Sequence, residues 1–276
     1  GPAISFPFAG WLILNYDWRW MFVVTGALGI IWLIPWLLVV KNDKPKPIEK
    51  VASAPTVSTW RLFGNILASP VTWGAIITNY CYAYFLYYCM TWMPAYFVEQ
   101  HGISFSNSNL LSMLNFVCIA IVALLAGWAA DTLIKRGGDA VFVRKAFIVS
   151  GFIIASTELL GMRATTLNGA LFWSAISLSG LGLATANNLA LCRMTLMPKQ
   201  ATGLITGIQN VSTSFAAGFS AYITGRLLDK SGGYGAPMMV NFFVLVLGAV
   251  ATIVLMRRSW VPKVIDEGAP AASASQ

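Results

Sequence analysis

Charge is scarce in this sequence. Asp, Glu, Lys and Arg make up 10% of its 276 residues, while 57% are hydrophobic. Soluble domains carry about 25% charged residues, so a soluble globular domain is excluded, and a disordered chain with it. There is one His, and the four Cys (Cys81, Cys89, Cys118 and Cys192) contain no Cys-x-x-Cys pair. That excludes a disulfide scaffold and leaves no support for a metal site or a Ser/His/Asp triad, since His101 falls in an expected outer loop. The cysteines are expected to pack as small apolar side chains. No G-x-x-x-x-G-K-[ST] string occurs, which argues against an ATP-driven pump, and no bound cofactor is implied. The net charge of +8 needs no nucleic acid to explain it. The informative question is on which side of a membrane the charge sits.

What is abundant is apolar length. A hydrocarbon core about 30 Å thick takes about 20 apolar residues per helix. By that measure full spans are predicted over Met21–Val40, Val71–Phe97, Leu110–Ala130, Ala146–Met162, Gly169–Met194, Ala201–Leu227 and Met238–Met256. The alternating short strands of a membrane barrel are absent. The fold class is therefore all-α, a polytopic membrane protein. Ahead of the first span lies GPAISFPFAGWLILN, too short to cross comfortably and without a basic residue before Arg19, unlike a signal peptide. It reads as the second half of a helix, and the chain as a fragment.

Basic residues distribute unevenly between alternate connections. One set holds Lys41, Lys44, Lys46, Lys50, Arg61, Lys135, Arg136, Arg144, Lys145, Arg193, Lys199, Arg257, Arg258 and Lys263. The other holds only Arg19, Arg163, Arg226 and Lys230. The positive-inside rule then places the 41–69 connection, the 131–145 loop and the C-terminus in the cytoplasm. Residues 41–69 open as KNDKPKP and pass through an Ala/Ser/Thr/Pro stretch, the composition of a linker. They end in an expected short amphipathic helix at the interface, carrying Trp60, Leu62, Phe63, Ile66 and Leu67. The expected organisation is 1–40 as the end of one bundle, 41–69 as a cytoplasmic linker, 70–258 as a six-helix bundle and 259–276 as a cytoplasmic tail.

Six helices after a basic linker, with part of an earlier bundle before it, suggest two six-helix halves. Residue strings sharpen this. Gly127, Asp131 and Arg136 in GWAADTLIKRGG fit a G-x-x-x-D-x-x-x-x-R loop. The opening GPAISFPFAGWLI with DWRWMFVVTG, then TWMPAYFVEQHGIS and MPKQATGLITGIQN, complete an ordered set reaching Arg258. The sequence resembles the major facilitator superfamily, and within it the anion:cation symporters. The resemblance aligns the chain from helix five to the end, with the loop motif between helices eight and nine. It implies a fold of two helical halves in the cell (inner) membrane and secondary transport of an organic anion such as a sugar acid, often with H+. It also implies that helices one to four, with their proton-linked carboxylates, are partners missing from this chain.

Candidate site residues follow. In the loop motif, Asp131 can pair with Arg136 or with a neighbouring helix terminus, and Gly127 permits close approach; such a contact, breaking and re-forming, would gate access. The alternative is a basic loop that only sets topology. Along the seventh family helix, Tyr80, Tyr84, Tyr87 and Tyr88 share one face, with Asn79 and Tyr82 beside it and a kink expected where Trp92–Met93–Pro94 ends it. Asn79, Tyr87 and Tyr88 are candidates to bind a hydroxylated anion without burying a charge. An aromatic packing stripe is the competing role. The family often has Gln at the position of Asn79.

Asn187–Asn188 and Gln209–Asn210 are the remaining amide pairs. Neighbours on a helix point about 100° apart, so one of each pair faces the centre easily. Asn210 matches a family Asn that can face substrate, and Asn210 and Asn187 are the expected substrate contacts, with interhelical hydrogen bonding as the alternative. Glu158 and Arg193 are the charges furthest inside spans. Arg193 is expected to snorkel to the interface, and Glu158 is a proton-coupling candidate. A receptor or channel would leave the short opening helix unexplained, and an intramembrane enzyme lacks a catalytic cluster. A transporter of another substrate class, or an inactive remnant, competes most closely with the anion symporter.

Overall fold

The computed structural model describes residues 2–40, 59–161, 163–198 and 201–262. Residues 41–58 of the linker expected across 41–69, and residues 263–276 of the tail expected across 259–276, lie outside them. The described helices are α1 (Pro2–Asn15), α2 (Trp18–Val39), α3 (Thr59–Ala68), α4 (Pro70–His101), α5 (Phe105–Lys135), α6 (Ala140–Ala155), α7 (Glu158–Gly161), α8 (Leu167–Ala190), α9 (Thr202–Ser231) and α10 (Gly235–Leu255). A π-helical turn, Leu191–Leu196, continues α8.

The boundaries have local causes. Ser69, Ser104, Asp139 and Thr166 each accept a backbone N–H of the helix they precede, satisfying donors that the first turn leaves unpaired. Pro70 supplies a fixed φ at the first position of α4. Gly102 and Gly232 end α4 and α9 at φ 64° and 65°, a left-handed conformation that residues with a Cβ adopt reluctantly. Every predicted span has its helix, with two differences. Pro94 lies inside α4, which runs on to His101 rather than ending at the proline. The break comes elsewhere: α6 stops at Ala155, and Glu158 begins a separate single turn.

α9, α4, α10, α6, α8 and α5 pack in that order as neighbours, and α1 lies against α5. Small residues set the closest crossings, because helices in lipid gain little from apolar burial and rely on tight packing. A Cβ on Gly180 of α8 would stand 2.7 Å from Gly151 O of α6, and one on Gly248 of α10 would stand 2.8 Å from Cys81 Cβ of α4. α2 packs on α1, and none of its residues is buried.

Among the described residues, five stretches are long and apolar enough to cross a membrane: Trp18–Val39, Phe105–Lys135, Ala140–Gly161, Leu167–Leu196 and Gly235–Leu255. α4 and α9, at 32 and 30 residues, match them in length but not in apolarity. The difference is made by amides and hydroxyls, and those residues form the candidate site.

Candidate substrate site and gating contacts

Asn79 of α4 is buried against α9. Its Nδ2 donates to Gln209 O at 3.0 Å and to Thr213 Oγ1 at 2.9 Å. Its Oδ1 accepts from Asn188 Nδ2 of α8 at 3.3 Å. Gln209 then carries the connection onward, since its Oε1 accepts from Arg193 Nε at 2.9 Å. Three helices and the π turn thus meet in one polar cluster. Tyr82 and Thr185 share a further hydrogen bond between α4 and α8 at 3.0 Å. The cluster is not saturated. Asn188 Oδ1 and Gln209 Nε2, both buried, have no partner among the described residues.

The other predicted substrate contacts do not join Asn79. Asn187 points toward α6, where its Oδ1 accepts from Arg144 Nη1 at 3.4 Å. In each amide pair the residue beside the expected one is the one that meets Asn79: Asn188 instead of Asn187, Gln209 instead of Asn210. Asn210 is exposed, on an α9 stripe with Gly203, Gly207, Ser214 and Gly218. Next to it Ser214, Phe215, Gly218, Phe219 and Tyr222 line an open apolar groove of about 510 Å³. The tyrosine face divides as well. Tyr88 is in the main core with its ring 6.3 Å from Phe85, whereas Tyr80, Tyr84 and half-buried Tyr87 pack with Ala83 and Ala216.

The loop motif holds a different ion pair from the intramotif one. Asp131 Oδ1 pairs with Arg144 Nη2 of α6 at 2.9 Å, and Arg136 caps the end of α5, exposed. The expected partners of Asp131 were Arg136 or a neighbouring helix terminus; the side chain it meets is Arg144, and that pair spans two elements where Asp131–Arg136 would span one turn. Gly127 faces α8, where an added Cβ would be 3.5 Å from Ala186 Cβ. Through Arg144 the pair reaches Asn187, so α5, α6 and α8 are tied at one end.

Arg193 does not simply reach for water. It is half-buried and bonded to Gln209, a partnership that its place near a span end did not suggest. Glu158 is 5% exposed, and its Oε2 has no partner among the described residues. Ser177 lies beside it. Beyond the membrane helices, Tyr234 donates its hydroxyl to Glu99 Oε2 at 3.0 Å. Burial first, and the hydrogen bond to Glu99 second, push the Tyr234 phenol above its ordinary range.

Membrane-length helices packed around an internal polar cluster are the architecture of a multi-pass membrane protein. The chain belongs to the Major Facilitator Superfamily, whose family model matches residues 1–221. It is 27% identical to the D-galactonate transporter of Escherichia coli, over 93% of this chain and 63% of that protein. It is 29% identical to the chloroplastic ascorbate transporter of Arabidopsis thaliana, over 83% of this chain and 44% of that protein. The chain therefore spans less than two thirds of the length of these relatives. In fold it matches the crystal structure of a bacterial homologue of the human lysosomal transporter Spinster, inward-facing and unoccupied, with a TM-score of 0.63 at 16% identity, over 93% of this chain and 65% of that one.

Proposed function

We propose that this chain is the larger part of a secondary active transporter of a small organic anion, a sugar acid or related carboxylate, working by alternating access and driven by protons. The observation that carries the reading is the buried amide cluster of Asn79, Asn188 and Gln209. A polyhydroxylated solute offers hydroxyls that both donate and accept, and amides match them without bringing a fixed charge into the membrane. The cluster sits on the two least apolar long helices, α4 and α9, and on α8 between α5 and α6. Similarity to transporters named for D-galactonate and ascorbate supports the same substrate class.

In this reading Asn210 and Tyr87, which are not in the cluster, line the cavity from its open side, facing further helices of the same protein. Residues 1–40 belong to that other bundle and 70–258 form this one, in the cell membrane with the C-terminus cytoplasmic. Asp131 and Arg144 form the gating pair, and Glu158 carries the coupled proton. Counterflow tests it: vesicles holding the complete transporter and loaded with unlabelled sugar acid should accumulate labelled sugar acid from outside. No exchange with any organic anion would remove the substrate class and leave the fold as it stands.

A further inference from the structure

We infer that Arg193 is the residue that reads the substrate's carboxylate, and that Gln209 orients it. The inference rests on the organic-anion reading above and adds what the amides lack, a permanent positive charge. Arg193 Nε is fixed by Gln209 Oε1 at 2.9 Å. Its two Nη groups bond nothing among the described residues. A guanidinium held at Nε presents its Nη groups as a planar fork, the geometry that a carboxylate accepts with two parallel bonds. Its placement also distinguishes it from a snorkelling side chain. Snorkelling would carry the head group away to the interface, whereas this one turns to a side chain that is 1% exposed.

The backbone explains the orientation. In an unbroken α-helix Arg193, five residues past Asn188, would stand about 140° around the axis from it. Leu191–Leu196 is π-helical instead, with Met197 N bonded to Cys192 O. A π turn takes more residues to go round, so it brings Arg193 back toward the face of Asn188. Such turns are rare and recur at functional sites. The cluster keeps one unpaired donor, Nε2 of the Gln209 that holds the guanidinium, and one unpaired acceptor, Asn188 Oδ1. Both lie in residues that are 1% exposed, where an unpaired polar atom is costly unless something arrives to pair it. A 2-hydroxy carboxylate supplies both: oxygens for the guanidinium and the amide N–H, and a hydroxyl proton for Asn188.

The test is counterflow by the complete transporter, wild type and with Arg193→Gln, Arg193→Lys and Gln209→Leu. The labelled substrate is a hexonate, and the matched neutral hexitol is the competitor. Arg193→Gln should raise the half-saturating hexonate concentration by roughly 10–100-fold, the size of a lost charge-assisted pair, and abolish the preference for hexonate over hexitol. Arg193→Lys should keep the preference with a smaller rise. Gln209→Leu should raise the half-saturating concentration but leave the preference for the acid. A purely structural Arg193 would lower the amount of folded protein and leave the preference intact, and that result overturns the inference. If wild type exchanges no organic anion, the function proposed above fails and this inference fails with it. If wild type exchanges hexonate and Arg193→Gln does so with unchanged saturation, only the Arg193 assignment is lost.

Discussion

The Tyr234 hydroxyl donates to Glu99 Oε2 at 3.0 Å, joining the end of α4 to the turn between α9 and α10. The ring of Tyr234 also stands edge-on to Tyr96, with centroids 5.2 Å apart. Because the Tyr234 phenol is pushed up from 10.0, the folded state holds the proton more tightly than the unfolded state does. The resulting stabilisation is complete below about pH 10 and is lost as the pH rises from there through the folded value. Tyr234→Phe should lower stability by about 1 kcal/mol at neutral pH, the net worth of one hydrogen bond. It should also flatten the fall in melting temperature above pH 10. Melting curves of detergent-solubilised protein that fall in parallel for both forms would rule this out.

Helix α8 crosses α6 with backbone nearly touching backbone. Gly180→Val should destabilise by at least about 1–3 kcal/mol, because the added carbon would meet Ala155 N and Gly151 O, atoms that cannot turn aside. Gly218→Ala is the control: on the open α9 stripe nothing lies within 4 Å of an added Cβ. Thermal unfolding should separate the two. Equal melting temperatures would mean that α6 and α8 can part without loss.

Much of this architecture is legible in the sequence, for a physical reason. Span length is fixed by bilayer thickness, and Ser69, Ser104, Asp139 and Thr166 mark helix starts through their own side chains. The site is less legible. Adjacent amides such as Gln209 and Asn210 are chemically near-equivalent, and only the helix phase decides which enters the cluster. The phase was partly readable: Gly203, Gly207, Asn210, Ser214 and Gly218 form a small-residue stripe, which separates Asn210 from Gln209. Arg193 was legible only by its depth near a span end, and depth does not show that its Nε meets Gln209 on another helix. Asp131 likewise has Arg136 near it in sequence, while Arg144 comes close only when α6 packs back.

The pairing of Asp131 makes a separable prediction about gating. Asp131 is 57% exposed in its side chain and Arg144 12%, so the pair is worth no more than about 1 kcal/mol. That suits a contact that opens and closes in each cycle. Asp131→Asn and Arg144→Gln should each change the counterflow rate by up to about fivefold, and the exchange of charges, Asp131→Arg with Arg144→Asp, should recover part of it. Arg136→Gln should have little effect. The reverse ranking, with Arg136 sensitive and Arg144 silent, would return the pair to the loop itself.

Glu158 lies where a coupled proton could be held. It opens α7 after the break at Ser156 and Thr157, so its carboxyl enters the bundle instead of following the side of α6. No base pairs with it among the described residues, and one carboxyl oxygen bonds nothing there. A carboxyl left this free can take up a proton and return it without first breaking an ion pair. Replacing it by an amide of the same shape removes that ability and keeps the packing. Glu158→Gln should therefore retain counterflow, which needs no net proton movement, while losing uphill uptake driven by a pH gradient. Glu158→Asp should keep some uphill uptake, since the carboxyl remains. Loss of both counterflow and uptake in Glu158→Gln, with normal amounts of folded protein, would make Glu158 part of substrate binding or closure. Wild-type uphill uptake in Glu158→Gln would move proton coupling to a different carboxyl group altogether.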